Sequence, residues 1–160
     1  SVLWLFRGVY RQMDWRISWR GPAVGVTVAV AWLAPFSPAE QPLVASSVST
    51  VWLIGRVVGS ALVVPLCEEL AFRGYLLRRL QGADFTSVGP RAWTWFALIA
   101  SSLLFGVLHG RWLAGTLAGL AYAVLLVRTG RLGEAVAAHA VTNGSIALWV
   151  LATGDWSHWL

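Results

Sequence analysis

The stretch Val63-Val64-Pro65-Leu66-Cys67-Glu68-Glu69-Leu70-Ala71-Phe72-Arg73-Gly74 decides the fold class, because it places charges inside the longest apolar run of the chain. That run covers residues 47–80, and a membrane-spanning helix needs about 20 apolar residues. Pro65 lacks a backbone N–H and therefore predicts a kink within the helix. A charge at the bilayer centre costs about 2.5–3.5 kcal/mol on insertion scales, so ionisable groups in such a run indicate function.

The composition of the whole chain also indicates a membrane protein. Of its 160 residues, 58% are hydrophobic and 12% are charged, and the mean hydropathy is +0.67, whereas about a quarter of the residues are charged in soluble domains. The net charge is +5, and all 12 basic residues are arginines. Because the arginines border apolar runs, we expect a lipid bilayer and no nucleic acid as partner. Cys67 is the single cysteine, which excludes an internal disulfide framework.

The apolar segments predict an all-α membrane bundle of about five spanning or part-spanning helices. Residues 1–20 alternate apolar residues, arginines and tryptophans, which predicts either an amphipathic, interfacial lead-in helix or the tail of an earlier span. The later helical segments are Pro22 to Phe36, residues 47–80, Trp93 to His109, Trp112 to Val127 and Leu132 to Thr153, and the loops between them include Pro35 to Pro42, where Glu40 lies, and Gly82 to Pro90. We find no linker, so we expect one membrane-embedded domain over residues 1–160, with a motif-bearing core in residues 50–150.

Small residues and arginines predict how these helices pack and how they are oriented. Gly115, Gly119 and Ala123 recur at helical spacing, which allows close helix packing. Arginines in residues 7–20, 73–91 and 128–131 are expected on the cytoplasmic side, with Gly110-Arg111 on the other. We expect an integral protein of a bacterial inner membrane, with its chemistry nearer the cytoplasmic face. At about 1.5 Å per helical residue, His109 lies about 27 Å along the helix from Arg91. Because that distance would place His109 too deep in the bilayer, we expect its helix to begin outside the hydrocarbon.

Two adjacent carboxylates are the first candidates for chemistry. Glu69 and Arg73 are four residues apart, so they share a helix face and can neutralise one another. Glu68 is turned about 100° away and lacks that partner, which suits a group that exchanges protons. The alternative is that both glutamates mark the aqueous end of a helix, as most charges near a span end do.

Two further polar sites lie in other apolar segments. His109 ends one segment, with Phe105 one turn earlier, and His139 and Asn143 share one face of another. A lone histidine or asparagine in a membrane helix usually makes a helix-to-helix hydrogen bond, but three such sites on three helices favour catalysis. The remaining polar residues are expected in ordinary roles: Asp14, Asp84 and Asp155 in loops or ends, His158 in solvent, and Ser101 and Ser102 bonded to their own helix.

The pattern Glu68-Glu69-x-x-x-Arg73, Phe105-x-x-x-His109 and His139-x-x-x-Asn143 resembles the three-motif signature of the CPBP family, which comprises CAAX prenyl endopeptidases and bacteriocin-processing intramembrane proteases. All three motifs match, and the resemblance covers roughly residues 50–150. The run Val63 to Leu77 and the closing residues 152–156 look like the bacterial branch associated with exosortase-type protein sorting. That resemblance implies a possible place for the chain in a protein-sorting system.

The resemblance implies hydrolysis of a peptide bond in a membrane-anchored protein or peptide. Glu68 would be the general base, and His109 would help to hold and activate the water. His139 and Asn143 would donate hydrogen bonds to the oxyanion, while Glu69 and Arg73 would orient the first carboxylate and the histidine. Amide hydrolysis needs a base, a stabilised oxygen and a proton for the departing amine, and these residue types can supply all three.

The residues alone leave the cofactor and the function class open. Glu68, His109 and His139 could also form a His₂Glu zinc site, although the chain has no HExxH helix. The sequence therefore predicts either no required cofactor, which we favour, or a divalent metal such as zinc. The alternative functions are a non-catalytic membrane scaffold or immunity protein of the same fold, and a small transporter with a proton relay.

Overall fold

The protein is a bundle of apolar helices with no β-strand in the ranges that the structure describes. A computed structural model describes residues 7–34 and 49–158. Its helices are α1 (Arg7–Arg11), α2 (Arg20–Leu33), α3 (Thr50–Arg79), α4 (Trp95–Val107), α5 (Trp112–Thr129) and α6 (Leu132–Thr153), followed by a 3₁₀ turn at Trp156–His158. Helices α3, α5 and α6 are long and apolar enough to cross a membrane, and α2 and α4 are shorter apolar helices. The predicted all-α membrane bundle is confirmed, and the chain is an integral membrane protein.

Helix α3 carries two π-helical turns, at Gly59–Val63 and at Leu70–Leu76. The first lies directly before Pro65, which cannot donate to the carbonyl four residues earlier. There the backbone widens, and the N–H of Val64 donates to the carbonyl of Gly59. The predicted irregularity at Pro65 thus takes the form of a π turn, a feature that often occurs at functional sites.

Small residues bring two pairs of helices into the closest contact, α2 with α6 and α4 with α5. Gly21, Gly25 and Ala29 form a buried stripe on α2, and a Cβ at Gly25 would collide with the backbone oxygen of Ala138 on α6. On α5, a Cβ at Gly119 would come within 3.1 Å of the Phe105 ring on α4. The prediction of close packing by the small residues of α5 is confirmed.

The N-terminal segment differs from the predicted lead-in helix. Residues 1–6 lie outside the described residues, as does the predicted Pro35 to Pro42 loop with Glu40. Within the described part, only Arg7–Arg11 is helical before α2. The prediction of a helix is wrong for residues 12–19, because this segment runs along the start of α6: Ser18 donates to Glu134, and the Gly133 N–H donates to the carbonyl of Asp14.

A buried carboxylate on α6 accepts hydrogen bonds from this part of the chain. Glu134 is fully buried and accepts from the Ser18 N–H at 2.9 Å, the Ser18 hydroxyl at 2.5 Å and the Gly21 N–H at 2.8 Å. Nearby, Asp14 pairs with Arg16 at 2.6 Å and with Arg131 at 3.6 Å. Hydrogen bonds from the Arg16 side chain and then from its backbone lower the pKa of Asp14 to about 2. The segment before α2 is therefore fixed by acceptors and charges rather than by amphipathicity.

The arginines divide between the two ends of the bundle. The Asp14–Arg131 pair and the hydrogen bond from Arg91 to the Thr129 carbonyl hold one end together, while Arg111 donates to the Trp32 carbonyl at the other. The helix before His109 is shorter than the sequence ruler assumed, because residues 91–94 are not helical and α4 has only 13 residues, or about 20 Å.

Candidate active site

The centre of the bundle holds a buried ion pair bound to a histidine. Glu69 and Arg73 of α3 are buried and paired at 3.0 Å, as their four-residue spacing predicts. Arg73 also donates to the carbonyl of Gly119 at 2.7 Å, and its guanidinium lies 4.4 Å from the centre of the Phe105 ring. The Nδ1 of buried His139 lies 3.0 Å from the same Glu69 oxygen. Because an ionised carboxylate only accepts, Nδ1 carries the hydrogen and the ring orientation of His139 is fixed.

Glu68 has a different environment from its neighbour. Its side chain is 24% exposed, and Oε2 lies 3.8 Å from the Nε2 of His139. That Oε2 atom is buried and has no hydrogen-bond partner among the described residues. A buried carboxylate oxygen without a partner is costly in an apolar interior. Oε2 of Glu69 is likewise buried without a partner in the described residues, so the difference between the two carboxylates is that the Glu68 side chain is partly exposed and lines a cavity.

His109 presents one nitrogen to the same cavity. Its Nδ1 lies 2.8 Å from the carbonyl oxygen of Phe105, and since a carbonyl only accepts, Nδ1 carries the hydrogen. In the neutral ring Nε2 then has a lone pair and can accept a hydrogen bond. The Phe105 ring lies 4.7 Å from the His109 ring and 5.6 Å from the His139 ring, so one aromatic side chain lies between the two histidines.

A cavity of about 430 Å³, which we call the central cavity, joins these groups. Glu68, His109, His139 and Asn143 all line it. Asn143 donates from Nδ2 to the backbone carbonyl of Ser60 at 2.8 Å, a carbonyl that lies in the first π turn of α3. The structure therefore brings the cavity-facing members of all three sequence motifs to one space, with Glu69 and Arg73 directly behind them.

Tyr122 and Thr142 belong to this site, although sequence reasoning missed both. The Tyr122 ring stacks on His139 with centroids 5.0 Å apart and planes 19° from parallel. Its hydroxyl donates to Thr142 at 2.8 Å, and Thr142 has the carbonyls of Gly25 and Ala138 each at 3.0 Å. The available signal was spacing, because Tyr122 lies three residues after Gly119 and so shares its helix face.

The structure corrects one expectation for a polar side chain and confirms another. His158 was expected in solvent, but it lines the central cavity and its side chain is only 16% exposed. Its Nδ1 lies 3.2 Å from Arg111, and its Nε2 lies 3.5 Å from Asp155. Ser101 and Ser102 donate to the carbonyl of Leu98 in their own helix, as expected.

The central cavity extends away from the arginine-rich end of the bundle. Its lining includes Arg56, Gly110 and Arg111, which the sequence places toward the opposite side. Glu68 itself is 11 residues before the end of α3 at Arg79, or about 16 Å along the helix. The Glu68 carboxylate thus lies nearer the arginine-rich end of the bundle, whereas the central cavity leads from Glu68 toward the opposite end.

The side chains do not form the predicted alternative zinc site. Within residues 7–34 and 49–158, no three His, Cys, Asp or Glu side chains lie close enough together to hold a metal ion. Nδ1 of His139 is directed to Glu69 and Nδ1 of His109 to a carbonyl, an arrangement that leaves each Nε2 as the nitrogen able to bind a metal, so it is the spacing of the side chains that does not fit. Glu68, His109 and His139 therefore do not converge as a His₂Glu set in the described part of the chain.

Comparison with known proteins identifies the family. A search of curated proteins and a search of solved structures return no match. The family model described as "Type II CAAX prenyl endopeptidase Rce1-like" matches residues 50–145, which is more than half of the chain and includes Glu68, His109, His139 and Asn143. The protein therefore belongs to the Rce1-like family of type II CAAX prenyl endopeptidases, a family of intramembrane proteases.

Proposed function

We propose that this protein hydrolyses a peptide bond of a membrane-anchored protein or peptide, using water activated by Glu68. The observation that carries the proposal is that Glu68 lines the central cavity together with His109, His139 and Asn143, while its Oε2 has no hydrogen-bond partner among the described residues. Family membership supports the reaction class, and the geometry of the site supports the division of roles. The proposed location is a bacterial inner membrane, in a protein-sorting system.

Glu68 is the proposed general base. In the reaction the water oxygen attacks the carbonyl carbon while Glu68 takes one water proton, and the C=O electron pair moves onto the oxygen. His109 holds the water, because its Nδ1–H is directed to the Phe105 carbonyl and leaves Nε2 to accept from it. The nucleophile is thereby held by two acceptors on two helices, which fixes its direction of attack.

His139 and Asn143 are the proposed donors to the oxyanion. Because Nδ1–H of His139 is directed to Glu69, the ring can donate from Nε2 only when it is doubly protonated. One hydrogen of the Asn143 amide is directed to Ser60, and the second is available for the oxyanion.

Collapse of the tetrahedral intermediate completes the reaction. The C=O bond reforms, the C–N bond breaks, and the nitrogen leaves with the proton that Glu68 took from water. Glu69 and Arg73 act behind the reacting atoms: they hold His139 in one orientation and contribute a neutral pair to an apolar interior. We assign them as positioning residues.

The test is replacement of Glu68 by Gln in the full chain reconstituted in liposomes. The probe is a quenched fluorogenic peptide that ends in a farnesylated cysteine and three further residues, which fits the family. We expect Glu68→Gln to lower kcat by at least about 10³-fold, because amide cannot accept the water proton. In parallel, protein termini that are found in cells expressing wild type but not in cells expressing Glu68→Gln would identify other substrates.

Cys67→Ala is the matched control, since Cys67 adjoins Glu68 on α3 but is exposed on the outside of the helix. It should leave kcat unchanged. Full hydrolysis by a folded Glu68→Gln protein would contradict the proposed base and favour the scaffold alternative, in which a near-isosteric amide fills the same space. Loss of activity in both variants would point to disruption of α3 rather than to chemistry.

A further inference from the structure

Arg111 lines the central cavity but has no part in the proposed hydrolysis. It precedes α5, and it donates through Nη1 to the carbonyl of Trp32 at 2.5 Å and to Nδ1 of His158 at 3.2 Å. All of its hydrogen bonds in the described part of the chain use that one nitrogen. Nε and Nη2 therefore retain three N–H donors for a ligand.

The charge of Arg111 is also unbalanced locally. Among residues 7–34 and 49–158 no carboxylate lies within salt-bridge distance of it; its two partners are a carbonyl and an imidazole. Because guanidinium only donates, His158 accepts through Nδ1 and carries its hydrogen on Nε2, which lies 3.5 Å from Asp155. His158 thus lies between Arg111 and Asp155, and the guanidinium itself has no direct carboxylate partner in the described ranges.

A second donor lies beside Arg111. Trp32 lines the same cavity, and its ring centre is 5.5 Å from the guanidinium carbon of Arg111. The indole Nε1–H is buried and has no hydrogen-bond partner in the described ranges. A buried N–H normally has a partner, and a planar guanidinium is suited to bind a carboxylate through two parallel hydrogen bonds.

We propose that Arg111, with Trp32 and His158, forms a binding site for a carboxylate of the peptide substrate. The proposal rests on the proposed function, because it places the substrate in the central cavity. Arg111 follows His109 by two residues, so their Cα atoms are at most about 7 Å apart. An extended peptide advances about 3.3 Å per residue, so the bound carboxylate lies within a few residues of the bond to be cleaved.

The experiment measures binding without hydrolysis, using the full-length Glu68→Gln protein in phosphatidylcholine nanodiscs. The probes are dansylated tripeptides of alanine, leucine and valine: one with a free carboxyl terminus, one as the C-terminal amide, and one amide whose last residue is glutamate. We expect the free acid to bind at least about tenfold more tightly than the amide, as loss of a charge-assisted hydrogen bond implies. Comparable binding of the glutamate amide would assign the site to side-chain carboxylates as well as to the terminus.

Substitutions then locate the effect. Arg111→Gln should abolish the preference for the free acid, and Arg111→Lys should keep part of it, since it retains charge but loses the two-pronged geometry. Arg128→Gln is the matched control, because Arg128 is exposed at the far end of the same helix, and it should keep the full preference.

Several outcomes would overturn the proposal. The first is that the Glu68→Gln protein with Arg111 intact binds the free acid and the amide equally, or binds neither measurably. This outcome does not depend on whether any Arg111 variant folds. If added phosphatidylglycerol changed probe binding only when Arg111 is present, and the free acid were not preferred over the amide, the site would be assigned to lipid instead. If the Glu68→Gln protein preferred the free acid but the wild-type protein hydrolysed no peptide, the carboxylate site would be supported and the proposed function contradicted.

Discussion

Adjacent carboxylates on α3 have opposite relations to the rest of the molecule. One oxygen of Glu69 is shared by Arg73 and His139, both at 3.0 Å, in a fully buried position. Glu68 has no hydrogen bond at Oε2 and borders the central cavity. Substitution of one should therefore affect mainly stability, and substitution of the other mainly chemistry.

We predict that Glu69→Gln destabilises the protein by about 3–5 kcal/mol, because it leaves the buried Arg73 without its counter-charge. The measurement is the unfolding midpoint in detergent, followed by tryptophan fluorescence. Glu68→Gln serves as the comparison and should lower stability less than Glu69→Gln does, because the Glu68 side chain is 24% exposed and its nearest charged neighbour, His139, is 3.8 Å away. Equal midpoints for Glu69→Gln and wild type would show that the Glu69–Arg73 pair contributes nothing to the fold.

Tyr122 permits a second prediction, about the orientation of His139. Tyr122→Phe keeps the ring stacked on the imidazole and removes one hydrogen bond, so it should cost about 1 kcal/mol of stability and little activity. Tyr122→Leu removes the stacked ring, and kcat should fall by about 10- to 100-fold with KM nearly unchanged, because a misplaced donor affects the transition state. Steady-state kinetics on both variants measures kcat and KM separately and so checks this prediction.

An unchanged kcat in Tyr122→Leu would show that Glu69 alone orients His139. A rise in KM instead would place Tyr122 in contact with substrate.

At the scale of helices, close approach depends on positions where no Cβ fits. A Cβ at Gly25 would collide with the backbone oxygen of Ala138 and come within 2.8 Å of the Val141 side chain. We predict that Gly25→Ala destabilises the protein by about 1–3 kcal/mol by forcing α2 from α6. Thermal unfolding in detergent is the measurement.

Gly144→Ala is the control on α6 itself. A Cβ there meets nothing within 4 Å, and alanine favours helix, so this variant should be at least as stable as wild type. If Gly25→Ala were equally harmless, α2 and α6 would have to be less closely packed than the structure shows.

The same helices show how far the sequence could predict the fold and the site. Helix positions followed from apolar length, and the Glu69–Arg73 pair followed from four-residue spacing, because both depend on one helix alone. Asn143 with Ser60 and Glu134 with Ser18 could not be predicted, since these pairs depend on how distant segments lie against one another. The stripe Gly21, Gly25 and Ala29 was a readable signal for packing that sequence reasoning left unused.

The whole molecule has two chemically different ends, and that difference predicts its orientation. The loop that contains Gly89 lies at the arginine-rich end, and Gly110 adjoins the cavity lining at the other. Arginine-rich loops stay in the cytoplasm. In a Cys67→Ala background, we predict that an impermeant maleimide added outside right-side-out vesicles labels Gly110→Cys but not Gly89→Cys.

Inverted vesicles should show the reverse labelling, and detergent should expose both positions. Labelling of Gly89→Cys from the outside would reverse the orientation and place the exit of the central cavity in the cytoplasm.

The placement of the polar residues along the chain also bears on biosynthesis. Because Glu69 and Arg73 neutralise each other within α3, these two residues can enter the bilayer together as a neutral pair. His139 and Asn143 arrive only with α6, the last long helix described. A nascent chain that stops at α5 thus lacks both proposed oxyanion donors, and on the proposed mechanism it would not yet hydrolyse neighbouring membrane proteins.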